Sequence, residues 1–259
     1  MLNLSKKLAL NNIKNAPSGA AGYSNVYSLN FDGVDDFVNL GNAANLRPFI
    51  SGGITLSIWC KWVDITTATS RIFSSGSKAT AYNGISVSKN SSGFLSLNTG
   101  DGGGLSSSNR KTRKTDSVAI SNNTWHHIVF IWGSENSATW GIAVDGSPVA
   151  SSASGTGGNT VYNTDDAFIG KRLSSTNAAN GFMDEVSFWN KALSLSEVTA
   201  IYNSGVPTDL SGESGLIGYW RNGDTKGPLV FPTIEDFSAN SNDGTMTNMD
   251  SGDIVTDVP

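Results

Sequence analysis

The sequence predicts an all-β fold of two antiparallel sheets packed face to face, with one short helix on the outside. Three observations predict it. Apolar residues recur at every second position in short runs such as ITLSIWCKWV (residues 54–63), and a period of two marks a strand. The runs are short and are separated by Gly, Asn, Asp and Ser, the spacing of a sandwich. Finally, the 259 residues carry 15% charged side chains and 29 glycines. Average globular chains carry roughly 25% charge, so a charged helical bundle is excluded. A hydrophobic share of 38%, with 7 Trp, 11 Phe and 6 Tyr, excludes disorder and supplies a sizeable core.

Residues 1–22 are set apart: Leu4 and Leu8 share a helical face, and NAPSGAAG then reads as a linker. This stretch is either a docking arm or a frayed terminus. The sandwich is expected over 23–259. Its first strands are Val26–Phe31 and Phe37–Leu40. In the 54–63 run Ile54, Leu56, Ile58, Cys60 and Trp62 share one face, and Thr55, Ser57, Trp59, Lys61 and Val63 the other. Arg71–Ser75, Gly84–Val87 and Phe94–Leu97 follow. In Trp125–Trp132 the neighbours His126 and His127 point to opposite faces, so they cannot jointly hold one metal. Asp145-Gly146 signals a hairpin after Trp140–Val144. Phe168–Lys171 and Phe182–Trp189 come next. Leu195, Val198, Ile201 and Tyr202 then fall at helical spacing, with Ser194 or Ser196 as N-cap and Gly205 just past the end. Leu216–Arg221 opens a tail, 215–250, expected to close the sandwich.

A net charge of −5 argues against general nucleic-acid binding, which needs a basic footprint. Cys60 is the one cysteine, excluding an internal disulfide and a multi-cysteine zinc site. No run approaches the ~20 apolar residues of a membrane span, and the N-terminus shows no apolar stretch of a secretion signal. The expectation is a protein made in the cytoplasm, unless export uses a route without a cleaved signal.

The segments YSLNFDGVDDFVNLG, ITLSIWCKWV, NTWHHIVFIW with GIAVDG, FIGKR, and GFMDEVSFWNKALSLSEVTAIYNSG, in this order over roughly 24–205, resemble a laminin G-like domain of the concanavalin A-like lectin/glucanase superfamily. The resemblance implies a jelly-roll sandwich. The tail LIGYWRNGD…EDFSANSNDGTMTN resembles the segment that usually opens such a domain. Its late position implies a circularly permuted closure, or a strand handed to a neighbouring subunit. Permutation works where termini lie close together, which favours the first.

The resemblance further implies a structural Ca²⁺ beside the FDG strand, with Asp32 and Asp184 at the matching positions and the DFSANSNDG loop nearby. In that loop Asp236, Ser238, Asn240 and Asn242 supply alternating oxygens, the donor Ca²⁺ takes. The expected metal set is therefore Asp32, Asp184, Asp236 and Asn240. The loop is no EF-hand, since it lacks Gly at its sixth position and a closing Glu. Asp32 also reads as a turn residue before Gly33, and Asp184 as a strand carboxylate bonded to backbone.

Catalytic motifs are absent from the sequence. Retaining glycoside hydrolysis needs two carboxylates ~5 Å apart; Asp184 and Glu185 are adjacent, and on a regular strand they face opposite sides. No G-x-S-x-G elbow, P-loop or His-Glu-x-x-His motif occurs, and two histidines leave little scope for a Ser-His-Asp triad. Sugar binding, in contrast, uses an aromatic face helped by polar side chains. Tyr82, Trp140 and Tyr162 lie in or beside polar, Gly-rich stretches and are the candidates. The other six tryptophans, Trp59, Trp62, Trp125, Trp132, Trp189 and Trp220, read as core or sheet-packing residues. Arg110 and Arg113 in NRKTRKT complete the ligand set; this run suits an anionic glycan, a phosphate or an acidic neighbour, or is a solvated loop.

The function expected is a non-catalytic carbohydrate-binding or adhesion module for a glycan or cell-surface polysaccharide. It is placed on a phage virion, as capsid or tail decoration, as a homo-oligomer whose residues 1–22 dock other virion subunits. The alternatives are a structural capsid cement without sugar binding and, more remotely, a glycoside hydrolase.

Overall fold

The computed structural model describes residues 23–76, 80–172, 178–228 and 230–259; the expected arm at 1–22 lies outside them. The described chain runs through β1 (Ser28–Asp32), β2 (Phe37–Asn39), β3 (Ile54–Lys61), β4 (Ser70–Ser75), β5 (Asn83–Lys89), β6 (Leu95–Asp101) and β7 (Arg110–Thr115). It continues through β8 (His126–Trp132), β9 (Gly141–Val144), β10 (Ser147–Pro148), β11 (Ser151–Ser154), β12 (Phe168–Ile169) and β13 (Asn180–Trp189). Helix α1 (Leu195–Tyr202) precedes β14 (Leu216–Trp220), β15 (Thr233–Ile234), β16 (Gly244–Thr247) and β17 (Ile254–Val255).

Two antiparallel sheets result, as the period of two requires. The first has the order β10-β9-β8-β3-β13-β1-β17, with β14 beside the second half of β13; the second has the order β11-β7-β6-β5-β4-β12-β2-β16-β15. Between them lies the main core. Ile54, Leu56, Ile58 and Cys60 of β3 meet Ile85, Val87, Leu95 and Leu97 there, together with Trp62, Trp132 and Trp220. Each buried tryptophan removes ~150–250 Å² from water, about 4–6 kcal/mol at ~25 cal/mol per Å². The opposite side of β3 is buried too. Chain 190–216 and α1 cover the first sheet with a second cluster that includes Val129, Trp189, Leu193, Val198, Ile201 and Tyr219.

Helix α1 starts as the sequence predicts. Ser194 caps it and forms a reciprocal capping box with Glu197. It stops earlier than Gly205, because Asn203 takes the left-handed conformation that ends the helix (φ 45°, ψ 46°). Asn accepts that conformation through its short polar side chain.

Two local expectations change, and the tail closes the sandwich. The RKTRKT run is strand β7, hydrogen-bonded to β6 and β11, and not a loop. Trp125 precedes β8, is half-buried, and donates from Nε1 to Asp257 Oδ1 at 3.0 Å, so it seals the rim and not the core. Tail strands also enter both sheets of their own chain. β14 takes over from β1 along β13, β16 pairs β2, and β17 pairs β1. The DFSANSNDG loop anchors them: the Asp236 carboxylate accepts four bonds, from the amides of Tyr219, Ser238 and Asn242 and the Ser238 hydroxyl, at 2.8–2.9 Å.

Candidate functional site

Side chains alternate across a strand. With Ile85, Val87, Leu95 and Leu97 in the core, the residues between them face outward from the second sheet. Following the register strand by strand gives one row: Ser154, Thr112, Asn98, Ser86, Ser74, Phe168, Asn39, Thr245 and Thr233. Eight of these nine are hydroxyl or amide side chains. A second row beside it holds Ser152, Lys114, Ser96, Ser88 and Arg71. Local bonds set this polar floor: Thr112 Oγ1 donates to Asn98 Oδ1 at 2.7 Å, and the Ser88 and Ser96 hydroxyls lie 3.1 Å apart.

On the other side of the first row, Arg110 pairs with Gly100, and Gly100 with Gly84. Both glycines are required: a Cβ on Gly84 (φ +58°) would meet the Ser75 carbonyl, and one on Gly100 would meet the Tyr82 backbone. Tyr82, two residues before Gly84, lies at this corner. The Arg110 guanidinium sits 4.7 Å from the centre of its ring and that of Arg172 sits 5.5 Å away. Arg71 belongs to the same cluster. Burial and then the Arg172 charge push its pKa down to about 10. Burial pushes Arg172 down as well, with Arg110 adding to the fall.

The predicted ligand residues thus divide. Tyr82 and Arg110 come together, and the ring carries guanidinium groups where a sugar face was expected. Arg113 is three residues from Arg110 and so on the other face of β7. Its guanidinium is committed to Ser151 Oγ, Ser151 O and Ser137 O at 2.8–2.9 Å. Trp140 is no platform. It is 3% exposed, donates to Ser134 O and meets Trp132 edge-on. Tyr162 packs against the core and over Gly76. Arg71 and Arg172 are absent from the sequence-based set; Arg71 opens the apolar run RIF and Arg172 closes FIGKR beyond the end of β12, and a register shift at Arg71 and the loop position of Arg172 hide them from simple alternation.

The predicted metal set does not converge. Asp32 pairs with Asn180 across β1 and β13, four residues from Asp184, a separation of about 13 Å along the strand. Asp236 has its four acceptor positions filled by the loop, and Asn240 Nδ2 donates to Leu216 O at 3.1 Å. Asp184 instead lies in a different oxygen cluster. A bulge between Asp184 and Ser187, with Glu185 at φ +49°, breaks the alternation where β13 changes partner from β1 to β14. The two adjacent carboxylates, expected on opposite faces, therefore interact.

Glu185 bonds Arg221 Nε at 3.0 Å and the Tyr219 hydroxyl, and Arg221 also pairs with Asp224 at 2.9 Å. Burial pushes Glu185 up to about 7 against the pull of Arg221. Burial and then the Glu185 charge hold Asp184 well above the carboxylate range. Glu185 and Asp224 share the Arg221 guanidinium with Asp184 beside Glu185, and near them the buried amide oxygens of Asn25 and Asn222 have no partner. Asn25 Nδ2 already donates to Asp184 and Asn222 Nδ2 to the Met183 carbonyl, each at 2.9 Å. An all-oxygen set with excess negative charge and idle acceptors fits Ca²⁺; Asp184, Asp224, Asn25 and Asn222 would hold it.

One further line of residues matches relay distances. Ser121 Oγ lies 3.0 Å from His126 Nε2, and His126 Nδ1 lies 2.7 Å from Asp145 Oδ2. The Ser121 amide, however, donates to that same Nε2 at 3.0 Å. The ring nitrogen that would act as base is thus occupied by main chain, and the group ties the 121–125 turn to the β9–β10 hairpin. His127, on the other face, bonds Ser57 Oγ at 2.7 Å, stacks with Tyr202 and lies tilted against Trp59.

A candidate carbohydrate binding protein from Bacteroides ovatus is similar in structure, at 17% identity and TM-score 0.61. The match covers 87% of this chain and 59% of that one, so this chain spans less than two thirds of its length. The CBM40 module of the Ruminococcus gnavus IT-sialidase is similar at 11% identity and TM-score 0.51, over 68% of this chain and 96% of the module. The same module bound to alpha2,3 sialyllactose matches at 10% identity and TM-score 0.51, with the same coverage. At these identities the likeness is one of fold, and function rests on the site. A laminin G-type family model, described as the concanavalin A-like lectin/glucanases superfamily, matches residues 32–199. With well over half of its length matched, the chain belongs to that family.

Proposed function

We propose that the protein is a non-catalytic carbohydrate-binding module that takes a glycan or cell-surface polysaccharide on the outer face of the second sheet. The observation that carries this reading is the row of hydroxyl and amide side chains across nine strands, from Ser154 to Thr233, bordered by the Tyr82–Arg110 corner. Such side chains offer both donors and acceptors, which is what sugar hydroxyls need. A glycan array followed by titration tests it. Saturable binding is expected, weakened at least about tenfold (~1.4 kcal/mol) by Asn98→Ala or Tyr82→Ala. Absence of any saturable sugar would leave a structural role such as a capsid cement.

Non-catalytic action is part of the proposal. The Asp184–Glu185 pair is sealed by Tyr219 and Arg221, and His126 accepts from backbone. We also propose Ca²⁺ as a structural ion among Asp184, Asp224, Asn25 and Asn222, supported by the unpartnered amide oxygens. The finer placement, an adhesion module on a virion surface docked through residues 1–22, is a proposal drawn from the sequence. Mass spectrometry of purified particles with and without that segment tests it, and unchanged particle association without the segment would remove it.

A further inference from the structure

The corner formed by Tyr82, Arg110 and Arg172 goes beyond recognition of neutral sugar. We infer that it selects glycans bearing an anionic substituent, a carboxylate or a sulfate ester; this rests on the carbohydrate reading above and names its ligand class.

The chain as a whole is acidic, with a net charge of −5, yet two guanidinium groups lie against one ring. Arg110 and Arg172 lie 4.7 and 5.5 Å from the Tyr82 centroid. Like charges at this spacing repel, and burial adds to the cost at Arg172. Among the described residues, the charges acting on Arg172 beside burial are Tyr82 and Arg110, with no carboxylate. A cluster of one sign that is partly desolvated is completed by an opposite charge from outside.

The chemistry of the side chains narrows that charge. A guanidinium presents a planar fork of N–H donors that matches two oxygens of a carboxylate or sulfate. Arg113 commits its fork to Ser151 and Ser137. Arg110 and Arg172 rest instead against the Tyr82 ring, an arrangement that attracts the cation without consuming its N–H groups. The ring thus holds the forks in place without drawing on their N–H donors. The Gly84–Gly100 pair lets the Ser75 and Tyr82 main chain close over the sheet beside them, and the hydroxyl row begins two residues further along, at Ser86, Asn98 and Thr112. One anionic group at the corner and a neutral stretch of sugar over the floor is the ligand this layout describes.

The experiment titrates the full chain with matched probes: oligogalacturonate against its methyl ester, and sulfated against unsulfated dextran oligosaccharides, at low and raised salt. The expected result is at least about tenfold tighter binding of the charged member of one pair, weakened by salt. Arg110→Gln and Arg172→Gln are expected to reduce it at least about tenfold, and Arg110→Lys less than Arg110→Gln. Unchanged thermal midpoints show that the variants are folded; should one unfold, Arg110→Lys against the parent still separates the fork from the charge. Equal binding of neutral and charged probes, unaffected by Arg110→Gln, overturns the anionic selection and leaves the carbohydrate reading standing. Binding of poly-glutamate with no response to any sugar overturns both.

Discussion

His127 is fully buried between Trp59 and Tyr202, and that burial pushes its pKa down to about 4 against the weaker pull of Asp145. A histidine depressed in the folded state is neutral there and binds protons more readily once unfolded. Its contribution is complete above the unfolded value of 6.5 and is lost as pH falls toward about 4. The loss amounts to about 3 kcal/mol. Glu185 works the other way, because its raised pKa costs stability as pH rises toward about 7. The measurement is therefore a difference: chemical denaturation of the parent and of His127→Gln at pH 7 and pH 4.5. The parent is expected to lose about 2–3 kcal/mol relative to the variant on acidification, and parallel curves would refute it. At this scale the sequence was legible where chemistry alone decides. The two histidines do part company, as adjacent strand residues must. It misled where packing decides. Trp140 sits among Asn, Ser, Gly and Thr and looks solvent-facing, but Trp132, at the end of the preceding strand, gives it a wall.

Lys89 ends β5 fully buried, and its ammonium donates to the carbonyls of Ile65, Thr67 and Ala68 at 3.1–3.2 Å. One side chain thereby fixes the loop between β3 and β4. Lys89→Met keeps the aliphatic stem and removes the donors, which is expected to cost about 2–4 kcal/mol. Hydrogen exchange should show it first at residues 65–68, ahead of any global change; uniform acceleration across the sheets would show that the loop is not the unit affected. Strands with alternating apolar residues, such as β3 and β8, were legible because their pattern is local. β7 was not, since RKTRKT has no apolar positions and becomes a strand through its neighbours β6 and β11. The bulge in β13 was hidden for a related reason: it arises where two strands distant in sequence, β1 and β14, meet end to end along one partner.

Across the whole molecule, the two sheets share one core while the proposed ion and the proposed ligand face lie apart, one in the first sheet and one on the second. Calcium at about 100 times its dissociation constant would add about 2.7 kcal/mol, which in a chain of this length raises the unfolding midpoint by about 5–10 °C. Asp184→Asn should abolish that rise while leaving the metal-free midpoint equal or higher, because a buried carboxylate is removed. The same calcium response in parent and variant would place any ion elsewhere. The oxygen set was half visible beforehand. Asp184 stood out in the sequence, but Asn25, Asn222 and Asp224 reach it through pairing of the chain's two ends, which no local pattern records. The ligand face was similarly half visible, with Tyr82 and Arg110 found and Arg71 and Arg172 supplied by strand order.

The pairing of β1 with β17 sets Ser28 against Val255, and Asp257 is bound by Ser28, Lys61 and Trp125. The chain therefore enters and leaves at the same corner, through antiparallel neighbours. Tension applied at those two points would open the ladder rung by rung like a zipper, and not slide it as a whole. In an optical trap the domain should yield β17 at low force while the rest resists, so a pull on those two points loosens the hem before the weave.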